Sequence, residues 1–294
     1  MKKCLIVINS LCGRSSRVDE DRLVARFGGV YEPTVLRITD ESDEWAADGF
    51  DLVVVAGGDG TFSHALVNCT AAGVPLIYYG AGTFNECAKS KGAHNRKRKD
   101  AEAEFVPMKK LATLSGRPFG YVAAAGSFTP LGYTSSPARK KRLGILAYIL
   151  NILREYKVYD IPASVTADGA QYSGRYTLIM AIDSERCFGF RFNRLYRPDD
   201  KAIHLLLIKS PGKNSLVNKI RIFFPLFRAF FIGFGKEKES GALVFRRAEN
   251  LSVTLSGDVI FNIDGDAAPL SGTFDIAVDM PQNDVYIGNL SMLK

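Results

Sequence analysis

The sequence predicts two unlike halves: an α/β domain built on a parallel sheet, then a β-rich, sandwich-like domain. Three observations carry this. Through residue 116, short apolar runs alternate with amphipathic ones, the pattern of strand–helix units whose helices cover both faces of a parallel sheet. Beyond the turn-rich Leu114-Ser115-Gly116-Arg117-Pro118 the runs become mostly β-like, as in an antiparallel sandwich or barrel. The chain has 294 residues, more than the roughly 100 to 200 typical of one domain. The expected division is therefore 1–116, 117–284 and a short tail, 285–294, returning to the first domain.

In chain order, the first half reads as strand 5–8, helix 18–27, strand 34–38, helix 42–47, strand 52–55, helix 62–72, strand 74–79 and helix 85–90. The second half offers strands at 121–125, 163–167, 175–182, 202–208, 251–255, 259–263 and 273–279, with helices at 143–156 and 216–232. The start of the chain is too short an apolar run for a signal-peptide core and reads as a buried strand. The greasy segments 143–153 and 222–234 are too short to span a bilayer, and Pro225 and Arg228 interrupt the second.

Composition excludes disordered, collagenous and disulfide-framework classes: 47% of residues are hydrophobic and 23% charged, with 27 Gly and 12 Pro. Five cysteines (Cys4, Cys12, Cys69, Cys87, Cys187) make no CxxC pair, which predicts reduced thiols and a cytosolic protein. The formal charge of +7 favours an anionic partner: nucleic acid, nucleotide phosphate or an acidic membrane. The basic cluster 96–99 reads as a solvated loop, so no nucleic acid is expected.

The strongest local signal is Val53-Val54-Val55-Ala56-Gly57-Gly58-Asp59-Gly60-Thr61-Phe62, a buried strand entering a glycine turn and then a helix. Glycines let backbone N–H groups approach an anion, and the helix start adds partial positive charge, so a phosphate is the natural guest. Asp59 would repel that phosphate unless Mg²⁺ bridges them. The P-loop pattern is absent and GxGxxG is matched only in part, with Ser63 at the third glycine position. A second glycine turn, Gly80-Ala81-Gly82-Thr83-Phe84-Asn85-Glu86, follows the next strand, and Asn9-Ser10-Leu11-Cys12-Gly13-Arg14 follows the first. All three turns fall at the carboxyl ends of strands, where open α/β sheets bind ligands.

Gly57-Gly58-Asp59-Gly60-Thr61 resembles the glycine-aspartate signature of the lipid kinases related to diacylglycerol kinase and sphingosine kinase, shared more distantly with NAD kinases. The order of the other motifs narrows the likeness. The turn from Asn9 to Arg14 resembles the family's first turn, and Gly82-Thr83-Phe84-Asn85-Glu86 its GTxND turn. Gly144-Ile145-Leu146-Ala147-Tyr148 is similar to its apolar helix, Pro198-Asp199-Asp200-Lys201-Ala202-Ile203 to its DDGxL metal turn, and Asn262-Ile263-Asp264-Gly265-Asp266 to its late DGE turn. The resemblance implies an N-terminal nucleotide-binding domain, a C-terminal lipid-binding domain, and ATP- and Mg²⁺-dependent phosphorylation of a lipid hydroxyl, diacylglycerol foremost. Carried over, Asn9, Gly13, Arg14, Thr39, Gly57, Gly58, Asp59, Gly60, Thr61, Thr83, Asn85 and Glu86 contact the nucleotide. Asp200, with backbone carbonyls near Arg197 and Ala202, holds a structural Mg²⁺; Asp266 is the proton acceptor and Asp264 the carboxylate beside it.

Five positions depart from the family pattern: Ser63-His64 replaces Asn-Glu, Glu86 replaces Asp, Lys201 replaces Gly, and Asp266 replaces Glu. His64 cannot bind Mg²⁺ as a carboxylate does, and Lys201 puts a cation beside the metal turn. An NAD kinase-like enzyme and a lipid-binding regulatory protein with weak turnover stand as alternatives. His94 and His204 have no assignable role. The aromatic segment 220–232 and the basic run Arg139-Lys140-Lys141-Arg142 suit either core packing or docking on an anionic bilayer. The expected partners are thus a membrane lipid and an anionic membrane surface, for a cytoplasmic, peripherally bound protein; a homodimer is compatible with this.

Overall fold

A computed structural model describes residues 1–40, 42–92, 104–127, 129 and 156–293. The expectations placed on His94, on 96–99, on the basic run 139–142 and on the apolar helix around 143–155 lie outside these residues. Two compact units emerge, Met1–Leu111 with Met280–Lys294, and Ala112–Asp279.

The first unit is a six-stranded sheet in the order β2-β1-β3-β4-β18-β5. Its strands are β1 (Lys2–Asn9), β2 (Tyr31–Ile38), β3 (Leu52–Gly57), β4 (Leu76–Gly80), β5 (Phe105–Pro107) and, from the end of the chain, β18 (Val285–Gly288). Every pairing is parallel except that of β5 with β18. β3 is buried along its whole length, as a strand covered on both faces must be. Helix α1 (Glu20–Gly28) starts where the Asp19 side chain accepts the Arg22 N–H and packs Leu23 and Phe27 on one face. Helix α2 (Asp59–Ala72) packs Phe62, Ala65, Leu66 and Cys69 on the other and stops at Gly73, whose φ of 67° is left-handed. A short α3 (Glu86–Lys91) follows β4.

The helix expected at 42–47 does not form. Asp43 instead accepts the backbone N–H groups of Thr39 and Asp40, a local side-chain bond that competes with a helical turn. These bonds hold the Asp43 carboxyl below its ordinary range. All five cysteines are free thiols.

The second unit is a ten-stranded sheet ordered β14-β15-β13-β10-β8-β16-β17-β6-β7, with β9 pairing both β10 and β16. The strands are β6 (Leu111–Leu114), β7 (Arg117–Phe119), β8 (Val122–Gly126), β9 (Ile161–Ala167), β10 (Ala170–Ile182), β13 (Ile203–Lys209), β14 (Lys238–Glu239), β15 (Leu243–Ala248), β16 (Asn250–Ile263) and β17 (Asp266–Asp279). A separate ribbon joins β11 (Arg186–Cys187) to β12 (Phe190–Arg191).

Two expectations change here. The runs 251–255 and 259–263 are one strand, β16, with a register shift between Leu255 and Val259. The turn read as a linker is a hairpin: Ser115 and Gly116 both take positive φ, 48° and 86°, and join β6 to β7. The units instead divide after Leu111 and again before Met280.

Alternation along β8, β10 and β13 sends Ala123, Ala125, Ile179, Ala181, Leu205 and Leu207 into one apolar cluster. Their neighbours Ala124, Met180 and Leu206 enter a second cluster, covered by helix α4 (Leu216–Phe227) and the π-helical turn Arg228–Ile232. Ser215 caps α4, and Pro225 sits inside it without ending it. No described helix is long and apolar enough to cross a membrane.

Candidate active site

Within the first unit, parallel register brings four strand ends to one edge. Asn9 lies opposite Ile38, Ile8 opposite Ala56, and Gly57 opposite Gly80. The turns 9–14, 39–43, 57–61 and 80–86 therefore collect at the carboxyl edge, and with them every residue expected to contact the nucleotide.

Gly82 packs on the Gly58 backbone there, and Gly57 and Gly13 on threonine side chains. A Cβ on Gly82 would lie 2.5 Å from the Gly58 Cα, one on Gly57 2.6 Å from the Thr61 Cβ, and one on Gly13 2.8 Å from the Thr83 Oγ1. Glycine is thus required by close approach rather than by φ. Gly58, with φ −87° and ψ −176°, is the N-cap of α2 and offers no side-chain cap, so the first N–H groups of that helix have no side chain of the cap on them. The arrangement suits an anion.

Several predicted contacts turn out to shape this cradle. Asn9 donates from Nδ2 to Thr61 Oγ1 at 2.8 Å and accepts the Leu11 N–H at 2.8 Å. Asn85, left-handed with φ 52°, accepts the Gly82 N–H at 2.7 Å and donates to the carbonyls of Gly80 and Gly82. Both amides are thereby committed to turn geometry. Thr39 is exposed and bonded to Asp43, and Thr83 is exposed. Arg14 donates its N–H to the Ala81 carbonyl at 2.9 Å and, with Arg17 and Lys89, lines a notch of about 110 Å³ floored by Gly80 and Asn85.

Asp59 heads α2, and its Oδ1 accepts the Cys87 N–H at 3.3 Å, so its carboxylate reaches the head of α3, where Glu86 is buried. This donor set fits a Mg²⁺ that keeps water and phosphate oxygens, because such ions need only one or two protein carboxylates. Sequence reasoning missed Tyr78. Its hydroxyl lies 3.3 Å from the Gly57 carbonyl, its ring stacks on Phe62, and burial foremost, then the Asp59 charge, raises its pKa well above the ordinary value. A neutral phenol donor thus supports the turn from beneath. The sequence signal was a pair of tyrosines, Tyr78 and Tyr79, at the end of an apolar strand. Ser63 is buried, and His64 is exposed edge-on to Trp45, so neither supplies a carboxylate's chemistry.

In the second unit, Asp264 and Gly265 form the two-residue turn between β16 and β17, with φ of 53° and 111°. The buried Asp264 carboxylate accepts the N–H groups of Gly120, Tyr121 and Val122, the last two at 3.0 Å. Its carboxylate thereby fastens the start of β8. Asp266 stands at the surface with its side chain 53% exposed and a 3.1 Å bond from Arg117.

The metal turn is also occupied from within. Asp200 Oδ2 lies 3.5 Å from Arg247 Nε, and Oδ1 accepts the Ala202 N–H at 3.2 Å. The Arg197 side chain donates to the carbonyls of Tyr196 at 2.9 Å and Arg194 at 3.3 Å. Among the described residues no group of three or more His, Cys, Asp or Glu gathers into a metal cluster. At the turn expected to hold Mg²⁺, the Asp200 carboxylate and the carbonyls of Arg194 and Tyr196 thus already have basic or N–H partners.

The chain is similar to several known proteins. A family model of the diacylglycerol kinase catalytic domain matches residues 32–111. The chain is 25% identical over 289 residues to a Bacillus subtilis (strain 168) diacylglycerol kinase, spanning 90% of each. It is 27% identical over 236 residues to one from Mycobacterium tuberculosis (strain CDC 1551 / Oshkosh), spanning 76% of this chain and 73% of that one. A crystal structure of a diacylglycerol kinase from Bacillus anthracis str. Sterne shares the fold with TM-score 0.63 at 17% identity, over 98% of this chain and 97% of the other. The family likeness read from the motif order is thus found independently.

Proposed function

We propose that this diacylglycerol-kinase-like chain transfers the γ-phosphoryl group of ATP to a hydroxyl of a membrane lipid, diacylglycerol foremost. The observation that carries the reading is the backbone cradle at the ends of β3 and β4, with Asp59 at its centre. Phosphoryl transfer asks for positioning and charge neutralisation more than for covalent chemistry. The α2 N-terminus and the glycine amides bind phosphate oxygens, while Arg14, Arg17 and Lys89 neutralise their charge. Asp59 would hold a Mg²⁺, which would supply neutralisation of the charge developing on the transferred group. Asp266 accepts the proton of the attacking hydroxyl, and Arg117 orients its carboxylate.

The same proposal includes a cytoplasmic enzyme that docks on the bilayer holding its substrate. Along α4 and the following turn, Leu216, Val217, Ile220, Phe223, Phe224, Phe227, Phe231 and Ile232 are all exposed. Phe223, Phe227 and Phe231 stack in a row, with centroids 5.7 and 5.0 Å apart. From Lys209 to Lys236 no acidic residue occurs, and Lys213, Lys219, Arg221 and Arg228 flank the rings. Apolar insertion beside basic groups supports an anionic lipid surface.

The test incubates the chain with γ-labelled ATP, Mg²⁺ and vesicles carrying diacylglycerol, a sphingoid base, ceramide or a polyprenol. Label recovered in phosphatidic acid is the expected result; label in no lipid product overturns the reading.

A further inference from the structure

The family likeness implies a resident divalent ion on Asp200, with backbone carbonyls near Arg197 and Ala202, and the side chains there point to a different solution. We propose that two guanidinium groups have taken that ion's place: Arg247 on the Asp200 carboxylate, and Arg197 on the carbonyls of the preceding turn. Mg²⁺ demands near-octahedral oxygen coordination at about 2.1 Å and gives up its waters reluctantly. Here Asp200 meets a guanidinium through one oxygen and a backbone N–H through the other. Two carbonyls of the same turn face a second guanidinium.

The placement of Arg247 is built into the sheet. Its residue pairs with His204 in the β13–β15 register, and its own N–H donates to Glu237 Oε1 at 2.9 Å, so the strand delivers its side chain to Asp200. Lys201, standing where the family has glycine, adds another positive charge next to Asp200. A cation arriving there would meet a carboxylate already neutralised. The chain therefore requires divalent metal with its nucleotide and none for this turn.

The test uses the full chain without nucleotide, dialysed against EDTA and then into metal-free buffer. Elemental analysis should find no stoichiometric divalent ion, and Tm should be equal in EDTA and in Mg²⁺ at matched ionic strength. Arg247→Met and Asp200→Asn should each lower Tm by about 2 °C, as a partly exposed ion pair in a chain of this size would. Combined, they should lower it by no more than the larger single effect. One divalent ion per chain that is lost in Asp200→Asn overturns the proposal, as does a Tm that falls in EDTA. Additive losses in the double variant also overturn it. Metal content of the unmodified chain decides the matter even if a variant fails to fold. None of these readouts depends on turnover, so they stand or fall apart from the kinase reading.

Discussion

At the carboxyl edge of the first unit, the amides of Asn9 and Asn85 shape the glycine turns, and Asp59 stands among them at the head of α2, accepting the Cys87 N–H. In the second unit the acidic turns run the other way: Asp264 is taken up by three backbone donors and Asp200 by Arg247, leaving Asp266 at the surface. Both regions carry family-like motifs. The difference teaches that a motif made of backbone geometry is held by its own turn, whereas a motif made of carboxylates must first be checked for what already satisfies them.

The sharpest way to break this contrast is at Asp59. Asp59→Asn should cut kcat by on the order of 10³-fold with an unchanged circular dichroism spectrum, because it removes the charge that places Mg²⁺ and phosphate without touching the core. A variant of normal kcat and Mg²⁺ dependence would remove Asp59 from the machinery.

The two late aspartates should separate next. Asp266→Asn should lose roughly 10² to 10⁴ in kcat while ATP affinity and Tm hold. Asp264→Ala should instead destabilise by on the order of 3 kcal/mol, since it leaves buried N–H groups unpaired. Thermal melts and steady-state kinetics on the pair, side by side, check the division; a stable, inactive Asp264→Ala would reverse the roles.

Gly82→Ala tests the cradle itself. Its Cβ would stand 2.5 Å from the Gly58 Cα, so the turns must part, costing about 1–3 kcal/mol of stability and weakening ATP binding measured by calorimetry. Unaltered affinity would mean the close approach has no part in holding phosphate.

The smallest effect on chemistry is expected on the exposed face of α4. Replacing Phe224 and Phe231 with Ser should weaken sedimentation with anionic vesicles several-fold and leave activity on a short-chain, detergent-dispersed lipid intact. Binding of the parent chain should also weaken with salt, exposed charges being screened over about 8 Å at physiological ionic strength. Equal partition onto neutral and anionic vesicles would assign that face to another partner.

Local chemistry in the chain was enough to mark the strand–helix alternation, the glycine turns after β1, β3 and β4, and the change to β-rich texture, because periodicity and φ demands are local. The carboxyl-edge gathering of Asn9, Gly57 and Gly80 followed from parallel order alone. Packing decided the rest. Residues 42–47 lost their helix to the Asp43 turn, and Ser115-Gly116 proved a hairpin, not a boundary. The support of Tyr78 for Gly57 across neighbouring strands, the three N–H groups on Asp264 from 142 to 144 residues away, and the Arg247 guanidinium 47 residues from Asp200 are non-local contacts. Spacing along the chain carries no signal for such partners: the strand order brings them together, and burial or opposite charge then holds them.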